Sequence, residues 1–359
     1  MHADVVVIGS GIAGLSAALG LARRGARALV LEQERLLASH SSARNASIWL
    51  PVDDDETTPE LGGLSARLLD ALIGREGWLP KRTGALLVAR SSDELDESER
   101  GAKRNGLCCE RVSDPAAVSA ALEGGIGRAG LWVEGVGELD TGAMVEAIRR
   151  AAIDAGAHVR TQARVRAIVV EEGRVRGIVL EDGERIATAS VVVAAGAWTA
   201  SLVEACGAPS PIVPLRRHLA ILEVDPRLAR GPIVWSIDPQ AYFRTEVGDL
   251  LASPCDEVPF EPCVPPVDAR WLEELGDKLA AWAPALADAR VRRAWACLRP
   301  YAPDREIVLG EDPRVEGLFV LGGLGGRGMT IGAGAGDLLA RAIAGERVPA
   351  RMSPARFAR

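Results

Sequence analysis

The chain has 359 residues, with 42 Lys and Arg against 49 Asp and Glu, a net charge of −7 and a hydrophobic fraction of 48%. That length holds two domains or one large enzyme with an inserted lobe, and the composition excludes wholesale disorder. A mildly acidic chain is a poor general binder of nucleic acid, and no apolar run reaches the roughly 18 residues of a transmembrane span. The 6 Cys contain no Cys-x-x-Cys, and the 4 His (His2, His40, His158 and His218) have no metal-ligand spacing. Zinc chemistry, a disulfide scaffold and a His-centred nucleophile triad are therefore not expected.

Asp4 leads directly into the apolar run Val5–Ile8, without the basic and longer apolar regions of a secretory signal. The expected location is cytoplasmic, with peripheral contact at the inner membrane left open. Val5–Ile8 reads as a buried parallel strand, because the run is continuous and does not alternate. The turn Gly9-Ser10-Gly11-Ile12-Ala13-Gly14 opens a helix to about Arg24, capped by Gly25. Ala28–Leu31 is the second strand, with Glu32 at its end. Residues 35–60 read as a polar loop, 64–73 as a helix and 83–89 as a strand. Thr141–Ala155 is an amphipathic helix with Met144, Val145, Ile148 and Ala152 on one face.

A hairpin follows, with arms 165–170 and 175–180 about Glu172-Gly173. Val191–Gly196 is another buried strand. Residues 212–223 and 242–252 read as strands of a second sheet, and 270–283 as a helix. The chain ends as it began: a strand at 317–322, a Gly-rich turn to Gly328, and a helix from about Gly334 to Ala344. Nucleotide-binding elements thus lie at both ends and in the middle. The segments between them must form an inserted domain.

Gly9-x-Gly11-x-x-Gly14 follows a strand, opens a helix and is followed by an acid, the context of a dinucleotide fingerprint. Gly9 permits the tight turn, Gly11 lets the backbone approach a pyrophosphate, and Gly14 lets helix and strand pack closely. The helix N-terminus, with Ile12 and Ala13, offers N–H groups to phosphate. Glu32, followed by Gln33, can accept both hydroxyls of an adenosine ribose and would repel a 2′-phosphate.

Three features favour FAD over NAD. The run His40-Ser41-Ser42-Ala43-Arg44-Asn45-Ala46 offers hydroxyls, an amide and a guanidinium where pyrophosphate and ribityl would lie. The strand from Val191 ends in the small residues Ala195 and Gly196 before Trp198, which lets a cofactor pass closely. The turn Gly323, Gly325, Gly326, Arg327, Gly328, Met329, Thr330 has no acid at NAD spacing after it. It reads instead as a flavin cradle, with a helix N-terminus toward the N1/C2=O edge. Val165 completes the expected cofactor contacts.

These motifs, with Trp295-Ala-Cys-Leu-Arg-Pro300 and Pro303-Asp304 ahead of the Gly-rich tail, resemble the D-amino acid oxidase superfamily of FAD enzymes. The pattern is most similar to bacterial D-amino acid dehydrogenases of the D-arginine type, and to glycine and sarcosine oxidases. The resemblance implies an α/β (α+β overall) fold: a Rossmann-like FAD-binding domain, discontinuous in sequence, with an inserted substrate domain on a large antiparallel sheet. The expected bounds are 1–48, 140–208 and 304–347 for the FAD domain, 49–139 and 209–303 for the substrate domain, and 348–359 for a tail.

The same resemblance assigns Arg299 to the substrate carboxylate, with the Tyr242 hydroxyl sharing that task and Arg217 as a second arginine; the neighbouring Arg216 is the other candidate for the inward position. A guanidinium fork suits a carboxylate. The sarcosine oxidases carry a flavin-side lysine on the strand that here includes Leu250-Leu251-Ala252. This chain has none there, which leans toward a dehydrogenase. Cys297 stands where glycine oxidases have Gly and near where sarcosine oxidases have a flavin-linking Cys; noncovalent FAD is expected.

The implied reaction is oxidation of an amino acid or related amine by hydride transfer from Cα to flavin N5. The imino acid product hydrolyses to an oxo acid and ammonia. The leading reading is a D-amino acid dehydrogenase that passes electrons to a quinone or carrier. The alternatives are a glycine- or sarcosine-type oxidase using O2, and a non-catalytic FAD-holding subunit of a larger complex.

Overall fold

A computed structural model describes residues 3–358. Residues 1, 2 and 359, which include His2 and the outer ends of the first and last segments, lie outside the described residues. The apolar runs at Val5–Ile8, Ala28–Leu31, Val191–Val193 and Leu318–Gly322 are fully buried strands. Such runs stabilise a sheet covered on both faces. With His158–Arg160 and Val308–Glu311 at the edges they form a six-stranded sheet. Val5–Ile8 is central and parallel to both neighbours, Val191–Val193 and Ala28–Leu31. Only the edge strand Val308–Glu311 runs antiparallel.

Helices Ile12–Arg23, Thr141–Asp154 and Gly328–Ile343 share one core with this sheet. The last helix begins at Gly328, six residues earlier than the glycine content suggests. Its glycines serve close packing and do not break the helix. A Cβ on Gly332 would lie 2.8 Å from Ile12, one on Gly334 2.2 Å from the Leu61 carbonyl oxygen, and one on Gly336 2.5 Å from Ser16. The expected helix at 64–73 spans Thr57–Ile73 and packs on the last helix. Asp55 starts it, its Oδ1 accepting from the Thr58 N–H at 2.6 Å.

The hairpin Val165–Glu171 and Arg174–Leu180 gains a third strand, Arg185–Ala187. The second large sheet has nine strands. Its spine is Val213–Glu223 antiparallel to Arg290–Tyr301. The expected strand at 242–252 is two strands, Ala241–Glu246 and Asp249–Ser253. Val247 and Gly248, both at positive φ (48° and 86°), turn the chain between them. Ala85–Ala89, Cys109–Val112 and Ala129–Val133 extend the sheet.

This sheet has two unlike faces, as strand alternation requires. One face buries Ala220, Leu222, Phe243 and Leu250 against the helix Arg270–Trp282. The other carries Leu219, Tyr242, Leu251 and Cys297 and turns toward the Gly-rich turns of the parallel sheet.

Candidate active site

A cavity of about 420 Å³ runs between the two sheets. Its wall starts at the first turn. Gly9 has φ +104°, and a Cβ there would lie 2.5 Å from the Ala194 carbonyl oxygen. A Cβ on Gly14 would lie 2.0 Å from the Gly9 carbonyl oxygen, so Gly14 supports the turn from behind and does not line the cavity. Gly9, Gly11, Ile12 and Ala13 do line it. The N-terminus of the first helix enters the cavity with no side-chain cap from its own Gly11, and Ser42 Oγ accepts from the Ile12 N–H at 3.1 Å.

Glu32 is buried and its carboxylate is fixed. Oε2 accepts from the Ser10 N–H at 3.0 Å and from Ser10 Oγ at 2.5 Å, and Oε1 accepts from the Glu34 N–H at 2.9 Å. A carboxylate has about four lone-pair sites, so capacity remains for a ribose hydroxyl from the cavity. Gln33 and Val165 line the same end. Arg164, Arg166 and Glu181 join them there. Of these, sequence points only to Val165; alternation puts its neighbours Arg164 and Arg166 on the opposite face of the strand.

Ser41, Ser42, Arg44 and Asn45 line the middle, with Ala195, Gly196 and Trp198 opposite. Ser41 Oγ donates to the Leu298 carbonyl at 2.6 Å, which joins this loop to the second sheet. Ala46 is buried behind the wall, where its carbonyl accepts from Arg244 Nε at 2.6 Å.

At the far end Gly323, Gly325, Gly326, Gly328 and Met329 form the cradle at the start of the last helix. Gly323 and Gly325 have φ of +69° and +56°. Arg327 and Thr330 face elsewhere. Arg327 pairs with Asp55, donates to Thr58 Oγ1 at 2.9 Å, and so ties the cradle to the Thr57–Ile73 helix. Tyr301, which no sequence motif marks, backs the cradle: its hydroxyl oxygen accepts from the Gly326 N–H at 3.0 Å.

Both helix N-termini therefore open into one cavity, beside an anchored acid and turns too tight for side chains. These residues fit an FAD, with its pyrophosphate at the first helix.

Arg299 lines the cavity from the strand Arg290–Tyr301. It is only 6% exposed, yet its guanidinium has no hydrogen-bond or ion-pair partner among the described residues. An unpaired buried charge is costly, so this cation is poised for an anion. Arg217 stands opposite Cys297 on the neighbouring strand. It is outside the cavity wall and paired: Nη2 donates to Glu257 Oε1 at 2.7 Å. Arg216 points to the other face, where it pairs with Asp268 at 2.7 Å and lies over the Phe260 ring.

Tyr242 is buried and stacked on Trp235, ring centroids 4.5 Å apart. Burial raises its phenol pKa well above the ordinary value, outweighing the opposing pull of Arg217 and Arg299. The hydroxyl thus stays a neutral donor. Burial also raises the Cys297 thiol.

A family model described as FAD dependent oxidoreductase (DAO) matches residues 4–342. An uncharacterized oxidoreductase, YurR of Bacillus subtilis, is 26% identical over 97% of each chain. The crystal structure of L-proline dehydrogenase from P. horikoshii superposes with a TM-score of 0.87 at 23% identity, covering 99% of this chain and 98% of that one. That of iminodiacetate oxidase from Chelativorans sp. BNC1 is 27% identical with a TM-score of 0.77, covering 98% of each. Among the described residues no helix is long and apolar enough to cross a membrane.

Proposed function

Because this chain belongs to the DAO family of FAD-dependent oxidoreductases, which act on C–N donors such as amino acids and amines, we propose that it is an amino acid dehydrogenase whose substrate carboxylate binds Arg299. The observation that carries this reading is the unpartnered, buried guanidinium of Arg299 at the cavity wall. A bidentate pair with a carboxylate would neutralise it and fix the α-carbon in one orientation. A non-catalytic FAD-holding subunit has no use for such a group.

The bound FAD supplies the two-electron acceptor. The chain supplies position and a dry wall. Tyr242, kept neutral by burial, lies behind that wall in the same cluster as Cys297, and its hydroxyl is proposed as the second donor to the carboxylate. The amine must enter neutral, so that its lone pair assists loss of the α-hydrogen as hydride. No side-chain base is needed for that step.

The dehydrogenase form, with a quinone or carrier as acceptor, is supported by the lysines. Lys81, Lys103 and Lys278 are paired with Glu138, Glu99 and Glu274, and none lines the cavity. The D-series is the first choice of substrate, on the resemblance of the motifs alone. Anaerobic bleaching of the flavin by D- and L-amino acids, glycine and sarcosine tests the reading. Bleaching by D-amino acids supports it in full; a flavin that none of these carboxylate-bearing amines bleaches sinks it.

A further inference from the structure

Arg217 and Arg299 are diagonal neighbours on one face of the sheet, since Arg217 pairs with Cys297 and Arg299 with Leu215. Such positions lie about 7–8 Å apart. Only Arg217 has a counter-ion. It is buried, donates to Glu257 Oε1 at 2.7 Å, and reaches the Cys255 and Asp256 carbonyls at 3.4 Å. Its Nη1 lies 3.9 Å from where a Cβ on Gly326 would stand, so it is close behind the cradle.

Glu257 is itself held. Its other oxygen accepts from Arg305 Nη2 at 2.6 Å, and the Arg305 guanidinium lies 4.3 Å from the Tyr301 ring centre. The Glu257 carboxylate thus spans Arg217 and Arg305, with one oxygen on each.

We propose that Glu257 is a specificity-determining residue: its carboxylate occupies Arg217, leaves Arg299 as the one of these two guanidiniums open to an anion, and restricts the site to amines with one carboxylate. The inference rests on the reading of Arg299 given under Proposed function. Without Glu257, Arg217 would be a second cation without a counter-ion, close behind the cradle and at diagonal spacing from Arg299, and the two together suit a short dicarboxylate.

The test compares kcat/KM for glycine with iminodiacetate, and for D- and L-alanine with D- and L-aspartate, in the wild-type holoenzyme, Glu257→Gln and Glu257→Ala. FAD content is measured alongside. In both variants the dicarboxylate-to-monocarboxylate ratio rises about tenfold or more, roughly the effect of one gained charge pair. In Arg305→Gln, which keeps the Glu257–Arg217 pair, the ratio stays at the wild-type value. An unchanged ratio in both Glu257 variants at full FAD content overturns the proposal.

A second measurement needs no variant. Malonate and acetate are titrated into the wild-type enzyme and followed by perturbation of the flavin spectrum. Malonate binds no more tightly than acetate; malonate binding tenfold tighter overturns the proposal. If no carboxylate perturbs the flavin and no amino acid bleaches it, the reading of Arg299 has failed, and the Glu257 proposal is overturned with it.

Discussion

Cys297 Sγ lies 3.6 Å from the main-chain oxygen of Arg217, the residue opposite it on the adjacent strand. The thiol is 2% exposed and faces a carbonyl. Burial raises its pKa, against the opposing charges of Arg299 and Arg217. A thiol kept protonated is a poor nucleophile, although Cys297 belongs to the cavity wall.

The flavin is therefore expected to be noncovalent. Acid precipitation should release the yellow colour into the supernatant. Colour retained in the pellet by the wild type and lost from it in Cys297→Ser would show a thioether link.

Glu32 should govern cofactor affinity. Its carboxylate is anchored by Ser10 and Glu34 at the end of the second strand. A hydrogen bond to a charged group is worth about 1.5–3 kcal/mol, so Glu32→Gln should weaken FAD binding by roughly 10- to 150-fold. Equilibrium titration of apoprotein with FAD measures this. An unchanged Kd would place the ribose elsewhere.

The helix positions in the parallel half were legible because each followed from one local pattern: an apolar run, then glycines, then a helical period. The start of the last helix was not. Gly332 looks like a turn residue until Ile12 is seen against it, and that contact is far away in sequence. Arg217 shows the same limit within the site. Its strand is readable, but the choice between it and Arg216 for the inward face is not, and its partner Glu257 lies 40 residues away. Arg327 lay in the expected cradle sequence, yet its charge is taken by Asp55, on a loop brought close only by tertiary packing.

Reduced enzyme should react slowly with O2. The lysine cations are committed to Glu138, Glu99 and Glu274, away from the cavity. Stopped-flow mixing with aerated buffer checks this. Rapid reoxidation with stoichiometric peroxide would make the enzyme an oxidase.

Acid should weaken the Asp256–His218 link. Burial opposes the Asp256 charge, but hydrogen bonds from the His218 ring and backbone N–H outweigh it and hold the carboxyl below its ordinary value of 3.8. A depressed carboxyl contributes stability above its unfolded pKa, and that contribution is lost as pH falls through the folded one. Asp256→Asn should therefore have a lower Tm than wild type at pH 7, with the gap narrowing toward pH 3. Thermal melts across that range decide; a constant gap would show that the charge contributes nothing.

The central claim is that Arg299 receives the substrate carboxylate. Truncating one partner of a buried charge pair costs about 2–5 kcal/mol, or about 30- to several thousand-fold in Kd. The direct measurement is anaerobic titration of flavin bleaching by the best amino acid substrate, in wild type and Arg299→Met, with FAD occupancy measured in both. The expected result is a Kd raised by that factor at normal occupancy, with Arg299→Lys recovering only part of it, since a point charge cannot reproduce the fork. An unchanged Kd at full occupancy would contradict it.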